Sequence, residues 1–198
     1  MNYMSSDWPN AGHVDATRIG AFGFSAGGHS VLVAAGTETS LDRIAAHCDA
    51  IQEEFVCRSG MAADVVDNAG AFPAPLPGLQ AVVAAAPDFG FGFSPGQVAE
   101  LGAAMQLWGA ADDARVPQAT NIAPLAAVLE APSEAHVVAA AGHFAFRPPC
   151  NPALEQANPR VWEMACTDVP DFDRAAFQQH FNRSVTEFFI ENLGHPSR

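Results

Sequence analysis

The first clear pattern along the chain is an apolar run, Ile19 to Phe22, that stops at Gly23 and gives way to a small-residue segment ending near Ala35. An apolar run of this length bounded by glycine reads as a strand, here Arg18 to Phe22. The segment after Ser25 reads as a helix, with Gly36 as its C-cap. Thr39-Ser40-Leu41-Asp42 offers a capping box for a second helix. Leu41, Ile44, Ala45, Cys48, Ile51 and Phe55 then recur at helical spacing. Residues 57 to 78 lose periodicity and end in Phe72-Pro73-Ala74-Pro75-Leu76-Pro77-Gly78, where the prolines exclude a regular element.

Leu79 to Ala86 is almost continuously apolar, which suits a strand buried on both faces of a parallel sheet. Met105 to Trp108 and Ala135 to Ala140 are two further strand candidates. Between them a helix over 119 to 129 carries Ile122, Leu125, Ala126 and Leu129 on one face. A final amphipathic helix runs from Asp171 to about Leu193, with Phe177, Phe181, Val185, Phe188 and Phe189 as its core face and Gly194 just past its end. Residues 1 to 17 read as a loop. Strands alternating with helices predict an α/β fold, a parallel sheet flanked by helices and joined by right-handed crossovers. All 198 residues are expected to form one domain, 1–198, with 37–78 as an insertion covering Ser25.

Composition narrows the function. A net charge of −13, with nine Lys and Arg in all, excludes a nucleic-acid partner, because phosphate binding needs clustered cations. No apolar run is long enough to span a bilayer. Met1-Asn2-Tyr3-Met4-Ser5-Ser6-Asp7 has neither the basic nor the apolar region of a signal peptide. The four cysteines, Cys48, Cys57, Cys150 and Cys166, fit neither a zinc site nor a redox pair. Three disulfide connectivities are open, of which sequence neighbours favour Cys48 with Cys57 and Cys150 with Cys166. On an unbroken helix the first pair would lie roughly 13 Å apart, so either the helix breaks between them or that pairing is wrong. Two disulfides would imply an oxidising, periplasmic or extracellular compartment, whereas four buried free thiols would suit the cytosol.

The candidate chemistry centres on Gly23-Phe24-Ser25-Ala26-Gly27. This Gly-x-Ser-x-Gly, set between a strand and a helix, is a nucleophile elbow, and its flanking glycines let strand and helix approach closely. A serine hydroxyl needs a base to take its proton and a carboxylate to orient that base. His143 follows the last strand candidate in Gly142-His143-Phe144, and Asp112 and Asp113 follow the Trp108 strand. Asp88, after the Val82 strand, is an outside candidate for the acid. Functional groups of a doubly wound sheet gather at strand carboxyl ends, and the order Ser25, Asp, His143 fits a Ser-His-Asp triad. The other histidines are weaker: His136 falls within a strand and His180 on the closing helix. His29 and His47 read as surface or packing, and His13 and His195 lie near the termini.

The elbow, the loop Asp113-Ala114-Arg115-Val116-Pro117 and Gly142-His143-Phe144 resemble the α/β-hydrolase superfamily. More narrowly, the chain resembles the dienelactone hydrolases, close to the bacterial relatives of platelet-activating-factor acetylhydrolase. Pro149-Cys150, Cys166-Thr167-Asp168 and Phe172 to Phe177 resemble that group's tail. The resemblance implies hydrolysis of a small-molecule ester, lactone or related acyl bond with no cofactor and no metal. Ser25 would be the nucleophile, His143 the base, Asp113 the acid with Asp112 as fallback, and the Ala26 backbone N–H an oxyanion donor.

In that family the elbow follows the fifth strand, whereas here 24 residues precede it. The N-terminal strands, and the loop supplying the second oxyanion N–H, are therefore expected to be missing, as in the C-terminal portion of a longer enzyme. The Ile19 strand would then be an exposed sheet edge, through which the chain is expected to form a homo-oligomer. The rival expectation is a non-catalytic, hydrolase-like remnant that binds or self-associates through that edge.

Overall fold

The structure, a computed structural model, describes all residues except 1–2, 69, 100, 130–132 and 195–198, so His195 lies outside the described residues. Four parallel strands form one sheet: β1 (Ile19–Phe24), β2 (Leu79–Ala85), β3 (Ala104–Ala110) and β4 (Glu134–Val138). They lie side by side in chain order, so each crossover connects nearest neighbours. Register pairs Phe24 with Ala85, Ala85 with Trp108 and Ala110 with Val138, which brings the carboxyl ends of the strands to one rim. The fold is α/β, as the alternation predicts.

Alternation along β2 explains why both its faces are apolar. Val82 and Ala84 join one core with Leu32, Met105, Leu107, Ile122 and Leu125. Ala81, Val83 and Ala85 join the other with Trp108, Phe146, Phe181 and Phe188. Helix α1 (Ala26–Ala35) covers the first face and ends at Gly36, whose φ of 114° is left-handed, as the C-cap reading requires. Each fully buried Leu, Val or Phe adds roughly 1.5–3 kcal/mol, so these two layers carry most of the stability. Inside the second layer, Gln106 donates to Glu134 Oε1 (2.6 Å) and Ser184 Oγ (3.0 Å) and accepts from Trp108 Nε1 (2.9 Å). That network satisfies a fully buried amide whose orphaning would cost about 1–3 kcal/mol.

Between β1 and β2 come α2 (Leu41–Ala50), α3 (Phe55–Arg58) and α4 (Met61–Asn68). Ser40 caps α2 by accepting from the Arg43 N–H. The periodic stripe overreaches: α2 stops at Ala50, and Ile51 is exposed. Residues 57 to 78 are also less irregular than expected, because Gly60 (φ 83°) turns the chain into α4. There Ala62, Val65 and Val66 pack with Ile44, Phe89 and Phe91. The turn after Ala50 is what lets Cys48 reach Cys57, with Cα atoms 5.3 Å apart. Cys150 pairs with Cys166 across 5.6 Å, so the free-thiol alternative does not hold.

Beyond β2 lie α5 (Pro95–Ala99) and, after β3, α6 (Ala123–Ala126). The helix expected over 119–129 is a wide turn at Gln118–Ile122 followed by α6, because Pro124 lacks an N–H and can only sit in a helix's first turn. After β4 come α7 (Ala153–Ala157), α8 (Pro159–Ala165) and the closing α9 (Arg174–Leu193), which Asp173 caps. Phe181 and Phe188 of α9 are buried on the sheet, with Phe177, Val185 and Phe189 half-buried beside them. Arg174 is buried, paired with both carboxylate oxygens of Asp168 (2.7 and 2.8 Å) and donating to Ala165 O (2.7 Å). Among the described residues no strand pairs with the outer edge of β1, and Phe22 there is 47% exposed. No helix of the described residues is long and apolar enough to cross a membrane.

The Cys150–Cys166 bridge closes a loop of 16 residues, for which chain entropy predicts about 3 kcal/mol of stabilisation. A Cys150→Ser/Cys166→Ser double variant should therefore unfold at lower urea, with ΔG reduced by about 3 kcal/mol. An unchanged midpoint would mean that Arg174–Asp168 and the helix packing hold this region unaided.

Candidate active site

Four strand ends supply the candidate groups. Ser25 follows β1, and its N–H donates to Ala85 O (2.9 Å), which ties the elbow to β2. Its φ of 56° and ψ of −122° are strained for a non-glycine residue and push the hydroxyl out of the strand-to-helix turn. The turn is tight because a Cβ on Gly23 would fall 2.0 Å from Gly27 O. The expectation that both flanking glycines permit this approach is half right. A Cβ on Gly27 would meet nothing within 4 Å, and the second close contact is Gly28 against Pro87 (3.0 Å).

His143 follows β4 after Gly142 and is buried, at 7% exposure. Its Nε2 lies 3.0 Å from Ser25 Oγ and its Nδ1 lies 2.8 Å from Asp113 Oδ2. Nδ1 carries the proton donated to the carboxylate, so Nε2 presents its lone pair to the serine O–H. Asp113 is held from behind: its Oδ1 accepts the N–H groups of Arg115 and Val116, both at 2.8 Å. The Asp-x-x-Val-Pro spacing accounts for this, since the turn folds two backbone donors onto the carboxylate of its own first residue. The imidazole rests on Phe24, with ring centroids 4.9 Å apart.

The other acid candidates separate cleanly. Asp112 donates its N–H to Ala141 O and lines a small cavity of about 130 Å³ beside His143, together with Phe144, Met164, Asp168 and Arg174. Asp88 approaches Ser25 itself and not the far side of the imidazole: its Oδ2 lies 3.3 Å from Ser25 Oγ. Burial pushes the Asp88 carboxyl above the ordinary carboxylate range. Ala26 opens α1, so its N–H is one of the first-turn donors without an intrahelical acceptor.

Two contacts near the site are invisible in the sequence. The Arg115 guanidinium lies 4.3 Å from the centre of the Phe55 ring and 5.2 Å from that of Phe144, joining α3 to the His143 loop. His29 Nε2 meets Thr39 Oγ1 at 2.6 Å, and burial lowers the His29 pKa, which favours a neutral ring. No short motif marks either contact: Arg115 and Phe55 are 60 positions apart, and His29 and Thr39 meet only because the chain turns back after Gly36.

No family model and no curated protein matches the chain. Among solved structures, it is similar to an acetyl ester-xyloside bifunctional hydrolase from Caldicellulosiruptor lactoaceticus, at 18% identity and a TM-score of 0.38, over 87% of this chain and 58% of that one. It is also similar to a carboxylesterase from Lactobacillus plantarum, at 18% identity and a TM-score of 0.46, over 98% of this chain and 66% of that one. The chain thus spans about three fifths to two thirds of the length of the structures it matches. Likenesses this distant leave the chemistry to be read from the residues themselves.

The two glycines of the elbow should respond oppositely to the same substitution. Gly23→Ala forces backbone apart and should lose more than about 3 kcal/mol or fail to fold. Gly27→Ala should stay within about 1 kcal/mol of the parent, because the space is open and alanine favours the helix. Urea denaturation of the two variants measures the difference.

Proposed function

We propose that this protein is a serine hydrolase that cleaves a carboxylic ester, lactone or related acyl bond, of the dienelactone hydrolase or acetylhydrolase type. The observation that carries the proposal is the unbroken relay from Ser25 Oγ through His143 to Asp113, at 3.0 and 2.8 Å, behind a serine with strained backbone. Hydrogen bonds of this length suit proton transfer without rearrangement.

In the proposed reaction Ser25 Oγ attacks the acyl carbon while its proton passes to His143 Nε2. Asp113 keeps the ring in the required tautomer and faces the imidazolium that forms. The Ala26 N–H donates to the oxyanion, and one such donor is worth roughly 10²–10³ in rate. The tetrahedral intermediate collapses as His143 returns its proton to the leaving oxygen, which leaves an acyl group on Ser25. Water then gives up a proton to His143 and attacks the acyl carbon, releasing the acid and restoring the serine. No cofactor enters this cycle. We further propose that residues 37–78 close over Ser25, with the Arg115–Phe55 stack as the clasp.

The other reading, a non-catalytic binding module, draws on the outer edge of β1, which no strand pairs among the described residues, and on the exposed Phe22. It predicts a chain that self-associates and has no reactive serine.

A fluorophosphonate probe separates the two readings. The expected result is labelling at Ser25, mapped by peptide analysis and abolished in Ser25→Ala. Asp113→Asn should label roughly 10⁴-fold more slowly, since the amide favours the wrong tautomer. Asp112→Asn should label at close to the parent rate. A folded chain that takes no label, and that sediments as an oligomer, would overturn the hydrolase reading.

A further inference from the structure

Ser25 has a second polar neighbour that the relay leaves unused. Asp88 is 4% exposed, and its Oδ2 lies 3.3 Å from the serine Oγ, which His143 Nε2 also reaches at 3.0 Å. Its position is fixed by the fold: Asp88 lies just beyond the carboxyl end of β2, and its N–H donates back to Ser25 O at 3.3 Å. Backbone and side chain of one residue thus both address the elbow.

A buried carboxylate is normally matched by a cation or by several N–H donors. Asp113 has such donors, the Arg115 and Val116 N–H groups as well as His143. Among the described residues, the only hydrogen bond to the Asp88 carboxyl is that with the Ser25 hydroxyl. His143, the hydrogen bond from the Ser25 hydroxyl and Arg115 favour its anion, and Asp113 disfavours it. Burial outweighs them all and favours the neutral acid.

The protonation state decides what Asp88 does to the serine. An ionised carboxylate can only accept, so it draws the Ser25 O–H away from His143 Nε2. A neutral carboxyl can donate to Ser25 Oγ, which leaves the serine proton directed at the imidazole. We propose that Asp88 is a further catalytic residue of the site, working as a neutral acid that donates to Ser25 Oγ and holds the hydroxyl on line with His143. The site is then competent while Asp88 is protonated. Because the Asp88 carboxyl titrates above its ordinary range, competence extends further up the pH scale than an exposed aspartate would allow, and is lost as pH rises through it.

This inference rests on the serine-hydrolase reading, and the experiment keeps the two apart. The rate constant for fluorophosphonate labelling of Ser25 is measured against pH for the parent, Asp88→Asn and Asp88→Ala, with circular dichroism to establish folding. The expected parent profile falls on the alkaline side. Asp88→Ala should label about tenfold more slowly at the parent's optimum, the worth of one hydrogen bond. Asp88→Asn, whose amide donates but never ionises, should recover most of that loss and abolish the alkaline fall. An Asn variant as slow as the Ala variant, or one that keeps the alkaline limb, overturns the proposal while leaving the hydrolase reading intact. A folded parent that takes no label overturns both. If Asp88→Ala fails to fold, the alkaline limb of Asp88→Asn decides alone.

Discussion

A missing side chain at Gly23 holds the arrangement together. With no Cβ there, the end of β1 and the first turn of α1 come into backbone contact at Gly27 O. Ser25, caught between them, has no unstrained conformation available. The strain is sustained because the surroundings over-determine it: the Ser25 N–H is bonded to β2, and its carbonyl receives the N–H groups of His29 and Asp88. A hydroxyl presented this way is fixed in direction before any ligand arrives, the kind of preorganisation that reactive sites depend on.

The sheet does the remaining positioning. Because β1 to β4 are parallel and adjacent in chain order, their carboxyl ends emerge at one rim, one group from each. Ser25, Asp88, Asp113 and His143 come from four different strands and converge without long loops. Two carboxylates on this rim sit in contrasting surroundings. Asp113 is ringed by backbone donors, whereas Asp88 has a hydroxyl and little else. Burial with so few partners raises the Asp88 carboxyl above the ordinary carboxylate range.

Much of this was legible in the sequence, and for identifiable reasons. The elbow, the strand at Leu79 and the closing helix at Phe177 to Phe189 announce themselves through local patterns that tertiary contacts then reinforce. Ser25, Asp113 and His143 could be named because each sits in a short motif at a strand end. Position was harder to read than presence. Asp88 was visible as a carboxylate after a strand, yet which side of the imidazole it would face depends on the register of β1 against β2. Helix α4 was missed because its eight residues are too short a stretch to display a period, and its apolar side becomes meaningful only against Ile44 and Phe89. Pro124 split a helix that periodicity alone had joined. The Arg115–Phe55 stack left no trace, since its partners are 60 positions apart.

The two disulfides have a consequence for how the molecule would respond to its surroundings. Each bridge joins near neighbours in sequence, 9 and 16 residues apart, and neither crosses the sheet. One clips α2 to α3, the helix whose Phe55 meets Arg115; the other closes the segment that holds α7 and α8. The covalent reinforcement thus lies outside the relay, which contains no sulfur. Reduction would remove both cross-links without breaking any hydrogen bond of the sheet or of the Ser25–His143–Asp113 relay.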